Sequence, residues 1–592
     1  MIRTLIRSRI RSRLLLSVSF LSLGLASSSS IALKAAEGDL DVTFGGGGKL
    51  HVSFGETQDE AAALAVQSDG RIVVAANVTA ADGSRQIGVA RLAPNGALDP
   101  TFGINGRVIT SFPGIANLAE ALAIQSDGKI VVAGSTVEVA VGPVNVRGDM
   151  AIVRFNANGS LDTSFGNGGL AKARFGQRFD SANAVAIQGD GKIVAAGIAT
   201  FFFNPRFGLA RFNTDGSLDT SFDFDGKVDS PFGGGEIGIG SFATALSVLA
   251  DGRIVAAGTV GTNRLALVRY QANGEEDQTF GVNGRTVDTV NAAGANAMVI
   301  QPDGRIIVAG RTGFAEAADF LLARYDANGA RDLTFGTDGL AITDINATEN
   351  EIVSVALQAD GRIVAAGTAL TFPTFGDYAV ARYDANGVLD PTFGTGGIVT
   401  TDIVDSIFDR TQAMVIQPDG RILVAGDVAL DAVVLVRYAG PPPHELAFFP
   451  HGAGTPGTAG ALTMTLTAPT TGSVLVNGPT GQSWLSDPLV NGTLAASRVQ
   501  LLLPCSGVNL PTAVRLATTD AAGANEQVLG EGSAGLRICT TLTQTIDVPV
   551  TAPVTLTARR LKLTIRPLTS LPLPVPVGSR TVLRATSFVG TP

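Results

Sequence analysis

"AIQSDGKIVVAG", residues 123–134, reads on its own as a β-hairpin, two apolar runs about an Asp-Gly turn. The chain writes it again and again. "AVQSDGRIVVAA" precedes it, and "AIQGDGKIVAAG", "VIQPDGRIIVAG", "LQADGRIVAAG" and "VIQPDGRILVAG" follow. The Asp of the turn falls at Asp69, Asp127, Asp190, Asp251, Asp303, Asp360 and Asp419, with spacings between 52 and 63 residues. Fixed parts are therefore separated by loops of changing length, and a period of this size marks one supersecondary unit that needs its neighbours.

Two further landmarks recur with the turn. One is an arginine next to a large apolar residue: Arg91, Arg154, Arg211, Arg269, Arg324, Arg382 and Arg437. The other is a D-x-x-F step beginning at Asp41, Asp99, Asp162, Asp219, Asp277, Asp332 and Asp390. In "RLAPNGALD" the Arg and the Asp stand eight residues apart, as they do in all six uninterrupted copies. That spacing centres a three-residue loop on Asn95 with Gly96 left-handed, and it sets Arg91 opposite Asp99 on one sheet face. The repeated charges are thus expected as structural cross-strand pairs.

Each copy holds four strand-length segments, in the second copy "ALAIQ", "KIVVAG", "MAIVRF" and the stretch after "TSFGNGG". The first two are almost continuously apolar, as strands covered on both faces are. Seven such sheets predict a seven-bladed β-propeller. The seventh copy stops at "VRYAG", whereas the early segment "GDLDVTFGGGGKL" supplies the missing half, with Gly38, Leu40, Asp41 and Phe44 aligning on Gly96, Leu98, Asp99 and Phe102. The N-terminal strand is therefore expected to complete the last blade and close the ring. The pattern LDxTFGxxG, then Q-DG[KR]IVVAG, then RY-xNG over residues 39–440 resembles the delta-sixty repeat of bacterial exported and surface proteins. That resemblance implies a propeller and carries no catalytic residues with it. The fourth copy departs from the pattern, with "SVLADGR" lacking the Gln and "SFDFDG" lacking the first Gly.

Composition agrees with an all-β chain of many turns: 592 residues, 72 of them Gly, 45% hydrophobic and only 16% charged. The start "MIRTLIRSRIRSRLLLSVSFLSLGLA" has five Arg, no acid and an apolar run, which predicts a signal peptide over 1–26 and a short linker over 27–38. The mature chain is expected to be secreted, periplasmic or at the cell surface, without a transmembrane span. Residues 27–445 carry 29 basic against 47 acidic side chains, an excess that repels phosphate backbones and argues against nucleic acid.

Beyond the Pro-rich linker at 441–445 repetition stops. Short Thr-, Val- and Leu-rich runs over 446–592 predict a C-terminal β-sandwich, with Cys505 and Cys539 expected as a disulfide in an exported protein. Three histidines, no GxxxxGK and no CxxCH leave little for zinc, a His triad, phosphate or haem, and "DANGARD" reads as an Asn-Gly turn, so no metal or cofactor is expected.

Function is expected on one face. Antiparallel order sends the Asp-Gly and Asn-Gly turns to one side of the disk and the varied loops to the other, where recognition usually lives. "FFFNPRF" and "TFPTFGDY" supply the richest anchors: Phe201, Phe202, Phe203, Arg206, Phe207, Phe372, Phe375 and Tyr378. Acids in the crossing loops, among them Asp59, Glu60, Asp180, Glu351 and Asp409, add a rim. These features predict a non-enzymatic binding module for a protein or polysaccharide of the cell envelope. The alternatives are a polysaccharide-acting enzyme that uses carboxylates on that face and a structural surface component.

Overall fold

A computed structural model describes residues 35–440 apart from 140–145, 177, 202–203, 233–239, 262–263, 289–291, 314–317, 346–348, 371–375, 404–408 and 429–431; beyond 440 it describes only the course of backbone strands between 444 and 589. The expected signal peptide, most of the linker after it, Cys505 and Cys539 lie outside the described residues. Among those described, every regular element is a strand, and no helix is long and apolar enough to cross a membrane.

The chain enters on β1 (Lys49–Val52) and runs through a meander of β2 (Gln58–Val66), β3 (Ile72–Thr79), β4 (Arg85–Leu92) and β5 (Arg107–Thr110) before the next repeat opens with β6 (Ala116–Ile124). Neighbouring strands within this meander are antiparallel. The same four-stranded order recurs at residues 116–173, 181–230, 241–288, 292–343 and 349–401, and the first two repeats touch edge to edge through a single parallel bridge, Arg85 to Ala116. β3 is buried on both faces from Ile72 to Ala76, which explains why its sequence is an apolar run where one-sided strands alternate. β5 and its equivalents are four residues long and mostly half-buried, as outer strands are.

The first strands of successive repeats pack side by side, and the strand at 409–416 packs back on β2, so they form a closed circle. Every described first strand carries a bulge at one place, between Ala61 and Ala63 in the first repeat and between Ala119 and Ala121 in the second, which increases its twist where the strands crowd together. Cores lie between adjacent sheets. Val73, Val89 and Phe102 of the first repeat, for example, meet Ile130, Val132 and Val153 of the second.

The circle closes through the chain's early segment. β1 pairs with the strand Ala432–Tyr438, from Lys49 opposite Val436 to Val52 opposite Val433, and Leu40 bridges Tyr438. The Ala439 N–H donates to the Asp39 carbonyl at 2.8 Å and the Gly38 N–H to the Ala439 carbonyl at 3.2 Å. Ala93, Ala97 and Gly96 make the same two bonds in the first repeat, at 2.7 and 2.9 Å. The ring is therefore cut inside one Asn-Gly turn, with Gly38 left-handed (φ 92°) just as Gly96 is (φ 95°). Beyond 440 every described stretch of backbone is strand, with Val554–Pro567 pairing antiparallel to Thr512–Thr519.

Candidate functional site

The turn side of the ring is built from the repeated charges. Arg91 is the last residue but one of β4, and the tight turn that follows returns Asp99 beside it, Nε to Oδ2 at 2.9 Å. The same contact measures 2.8 Å at Arg154–Asp162, 2.7 Å at Arg211–Asp219, 2.7 Å at Arg269–Asp277 and 2.9 Å at Arg324–Asp332, whereas Arg382 meets Asp390 through Nη2 at 2.9 Å. Arg437 reaches across the cut to Asp41 at 2.9 Å.

Three further contacts complete each arginine. Its guanidinium lies over the Phe of the D-x-x-F step, from 4.2 Å at Arg154 and Phe165 to 4.8 Å at Arg91 and Phe102. In every copy but that of Arg382 it donates to a carbonyl in the next repeat's turn, as Arg154 Nη1 does to Thr214 at 2.6 Å and Arg324 Nη1 to Ala385 at 2.6 Å. The basic residue after each Asp-Gly then brings a second cation to the same carboxylate: Arg71 to Asp99 at 3.0 Å, Lys129 to Asp162 at 3.2 Å, Arg421 to Asp41 at 3.1 Å. Burial opposes ionisation of Asp162, yet the Ser164 hydroxyl, Lys129 and Arg154 together hold its carboxyl far below the usual range. These groups are saturated by one another and leave nothing for acid–base work. The second cation is the part that sequence reasoning missed, although a Lys or Arg directly after Asp-Gly in all seven copies is its visible signal.

On the opposite side the expected anchors separate. Phe201 is half-buried under the Arg206 guanidinium at 4.6 Å, and Arg206 also pairs with Asp229 at 2.7 Å. Phe207 and Tyr378, expected as binding residues, are core side chains instead. Phe207 packs edge-to-face on Phe232 with ring centres 5.0 Å apart, and Phe207 and Tyr378 are fully buried. Each occupies the first inward position of a third strand, where Ile87, Leu265 and Phe320 stand in other repeats; aligning the copies strand by strand shows it. Phe202, Phe203, Phe372 and Phe375 lie outside the described residues.

The acidic rim separates too. Asp59, Asp180 and Asp409 are buried caps on the crossing loops, accepting the N–H of Phe54 (2.7 Å), Phe175 (2.9 Å) and Ile403 (2.8 Å). What remains toward the middle of the ring is a cluster where the seventh, first and second repeats meet. Asp427 is buried, accepts the Ala61 N–H and a bond from Gln412 Nε2 at 3.1 Å, and burial drives its carboxyl up to about 6, with Glu60 adding to the rise and Arg410 opposing it. Glu120, the bulge residue of β6, is raised by burial and by Glu60 and lowered by Arg85, which itself pairs with Glu60 at 2.5 Å. Raised carboxyls beside arginines are a common sign of a functional site. The Asp427 position also has a structural role, however, because Thr259 and Thr368 make the same bond to the next repeat elsewhere in the ring.

A protein-family match agrees on the architecture. Residues 67–102, 125–165, 188–222, 249–280, 301–335 and 358–393 match the family described as "Domain of unknown function (DUF5122) beta-propeller". No curated protein matches the sequence. Among solved structures, a catalytically inactive virginiamycin B lyase from Staphylococcus aureus is 11% identical, covering 66% of this chain and 99% of its own, with a TM-score of 0.39. Sqt1 from Chaetomium thermophilum, bound to the N-terminus of ribosomal protein L10, is 11% identical over 65% of this chain and 98% of its own, with a TM-score of 0.36. A PL25 ulvan lyase is 9% identical over 66% of this chain and 96% of its own, with a TM-score of 0.37. Likeness at this level says nothing of activity. The chain is a β-propeller repeat protein.

Proposed function

We propose that this propeller is seven-bladed, of the delta-sixty type, exported by its N-terminal segment and followed by a β-sandwich over 446–592, and that it is a non-enzymatic recognition module. Its ligand is a protein or polysaccharide of the bacterial cell envelope, taken by the face of varied loops. One observation carries the reading: the charged residues that recur in every repeat are spent on one another at the turn side, as at Arg154, Asp162 and Lys129, so variation is confined to the opposite loops. Described residues near both ends of the ring, Ala36 and Ala439, also fall at a turn of the first kind.

The test is retention of the purified mature chain on cell-envelope and polysaccharide fractions, beside a variant with residues 201–204 replaced by Gly and Ser. Phe207 is kept because it is core. Retention by the parent and its loss in an equally stable variant is the expected outcome; equal retention moves the ligand off these loops.

The raised carboxyls of Asp427 and Glu120 favour a second reading, an enzyme acting on polysaccharide from the ring's centre. Release of shortened glycans by the parent and not by Glu120→Gln would establish that reading in place of the first.

A further inference from the structure

Each outer strand begins five residues after the Phe of a D-x-x-F step, and four of the seven begin on a cation: Lys49, Arg107, Lys227 and Arg285. Three of these cations are satisfied inside the fold. Lys49 Nζ donates to the Asp402 carbonyl at 2.6 Å and Lys227 Nζ to the Arg174 carbonyl at 3.1 Å, each just past the fourth strand of the preceding repeat. Arg285 Nη1 does the same to Pro231, and Glu276 clamps its guanidinium, Nε to Oε2 at 2.8 Å and Nη2 to Oε1 at 2.5 Å.

Arg107 stands where Arg285 does. Ile104 bridges it as Val282 bridges Arg285, so the backbone frame is the same. Leu98 takes the place of Glu276 and has no charge to offer. Among the described residues Arg107 makes neither the bond to a carbonyl nor an ion pair, and its Nε is buried without a hydrogen-bond partner. A buried donor left in that state calls for one. Asp59, whose carboxylate feels the charge of Arg107, accepts the Phe54 N–H at 2.7 Å and the Ser53 hydroxyl at 3.2 Å on Oδ2, and no contact closes between its other oxygen and Arg107.

The second observation is the space beside this arginine. Arg107 lines a cavity of about 730 Å³ on the outer rim, between the outer strand of the first repeat and the Asn-Gly turn of the second. That is the size of a pocket for a small organic molecule. Its other walls suit a sugar. Asn105 and Asn158 are exposed and Thr110 is half-buried, offering amides and a hydroxyl. Ile104, 81% exposed, and Leu161 offer apolar surface to the face of a ring. The corresponding groove between the sixth repeat and residues 36–39 has Ile398 in the place of Arg107, so the groove does not need the cation for its own construction.

We propose that the rim groove at Arg107 binds an acidic saccharide, the guanidinium taking the carboxylate of a uronic acid. The planar fork of an arginine matches a carboxylate. It is one cation in an acidic chain, so it suits a sugar with a single carboxylate and not a densely charged polymer. The site lies on the outer strands, apart from the varied loops, and does not depend on what those loops hold.

The test is calorimetry of the full mature chain with aldobiouronic acids, in which glucuronic or galacturonic acid is joined to one neutral sugar. The matching neutral disaccharides and sodium acetate are the controls. The parent is expected to bind at least one acidic disaccharide with a dissociation constant of about 1 mM or tighter, and to bind the controls at least about tenfold more weakly. Leu98→Glu copies the fourth repeat, and its carboxylate should clamp Arg107 as Glu276 clamps Arg285 and remove the binding. Arg107→Ile copies the sixth repeat and should weaken binding at least about tenfold, in case the glutamate variant does not fold. The variant with residues 201–204 replaced by Gly and Ser should keep this binding, so the rim site and the loop face fail separately. Absence of heat with every acidic disaccharide, equal affinity for acetate, unchanged affinity in Arg107→Ile, or loss in the loop variant would overturn the proposal.

Discussion

The two sides of this ring are made from the same strands and obey opposite rules. On the turn side each arginine has an aspartate and an aromatic ring as partners, all but Arg382 add a carbonyl of the next repeat, and those six copies differ only in small distances. On the loop side one structural position, exposed in both cases, holds Arg174 in one crossing and Asp402 in another. The difference is one of burial. Loss of a turn-side arginine leaves a desolvated carboxylate, so exchange there is costly. Near solvent a change of charge is screened or met by an ion. Repetition thus marks where the molecule holds itself together, and divergence marks where it is free to meet something else.

The largest effect that can break this contrast is expected at a latch. Arg154→Met removes a nearly buried guanidinium, its stacking on Phe165 and its bond to Thr214, and leaves Asp162 with Lys129 as its remaining cation. A loss of about 4 kcal/mol is expected, in the range for breaking one side of a buried pair. Arg206→Met on the loop side, where the side chain is 29% exposed and pairs with Asp229, should cost no more than about 1 kcal/mol. Urea unfolding of both variants checks the pair, and similar losses would erase the distinction between the two sides.

Much of this was legible before any coordinates. The eight-residue interval from Arg91 to Asp99 can be met only by a short turn that brings the two opposite each other, and the distance of 2.9 Å follows from strand pairing alone. The missing half of the last repeat was equally readable, because Leu40, Asp41 and Phe44 have no other copy to complete. The functional side was less so. Phe207 and Tyr378 sit in aromatic stretches that look like loops, but strand alternation turns both inward, and a phase of one residue separates anchor from core. Arg107 reads as one more cation opening an outer strand, and only the clamp of Glu276 on Arg285 shows what Leu98 leaves open.

A middle-sized effect is expected where the last repeat meets the first. The Asp427 carboxyl sits near pH 6 in the fold against about 3.8 when unfolded, because burial, with Glu60 adding to it, outweighs the bonds from Ala61 and Gln412 and the charge of Arg410. The folded state therefore holds the proton more tightly than the unfolded chain does. Stability from this group is fully present below about pH 4 and is lost as pH rises past 6, by up to about 3 kcal/mol. The latch aspartates act in the other direction, since carboxyls held low favour the fold above their unfolded range and lose that contribution in strong acid. Asp427→Asn, which mimics the protonated form, should raise the melting temperature at pH 7.5 and leave it unchanged at pH 4. The same gain at both values would show that the group does not titrate in this window.

The smallest effect probes the cut in the ring. Where five arginines reach a carbonyl in the next repeat's turn and Arg437 reaches that of Pro94, Arg382 meets the carboxylate of Glu37, because the chain is interrupted at that turn. The Glu37 carbonyl still receives the Gly394 N–H at 3.0 Å, as the Asn386 carbonyl receives that of Gly336 at 2.8 Å, so the backbone frame survives the interruption and only the side chain is new. Arg382 is almost wholly buried while Glu37 is 22% exposed, so water and Asp390 both compete for the charge. Glu37→Gln keeps an acceptor and gives up one ionic partner, and a loss of about 1 kcal/mol is expected. Glu37→Ala should lose somewhat more, and the excess measures the acceptor itself. If neither variant changes the unfolding midpoint while Asp41→Asn lowers it, the closure is held by the strand and by the Arg437 latch alone, and the carboxylate at the cut is a bystander.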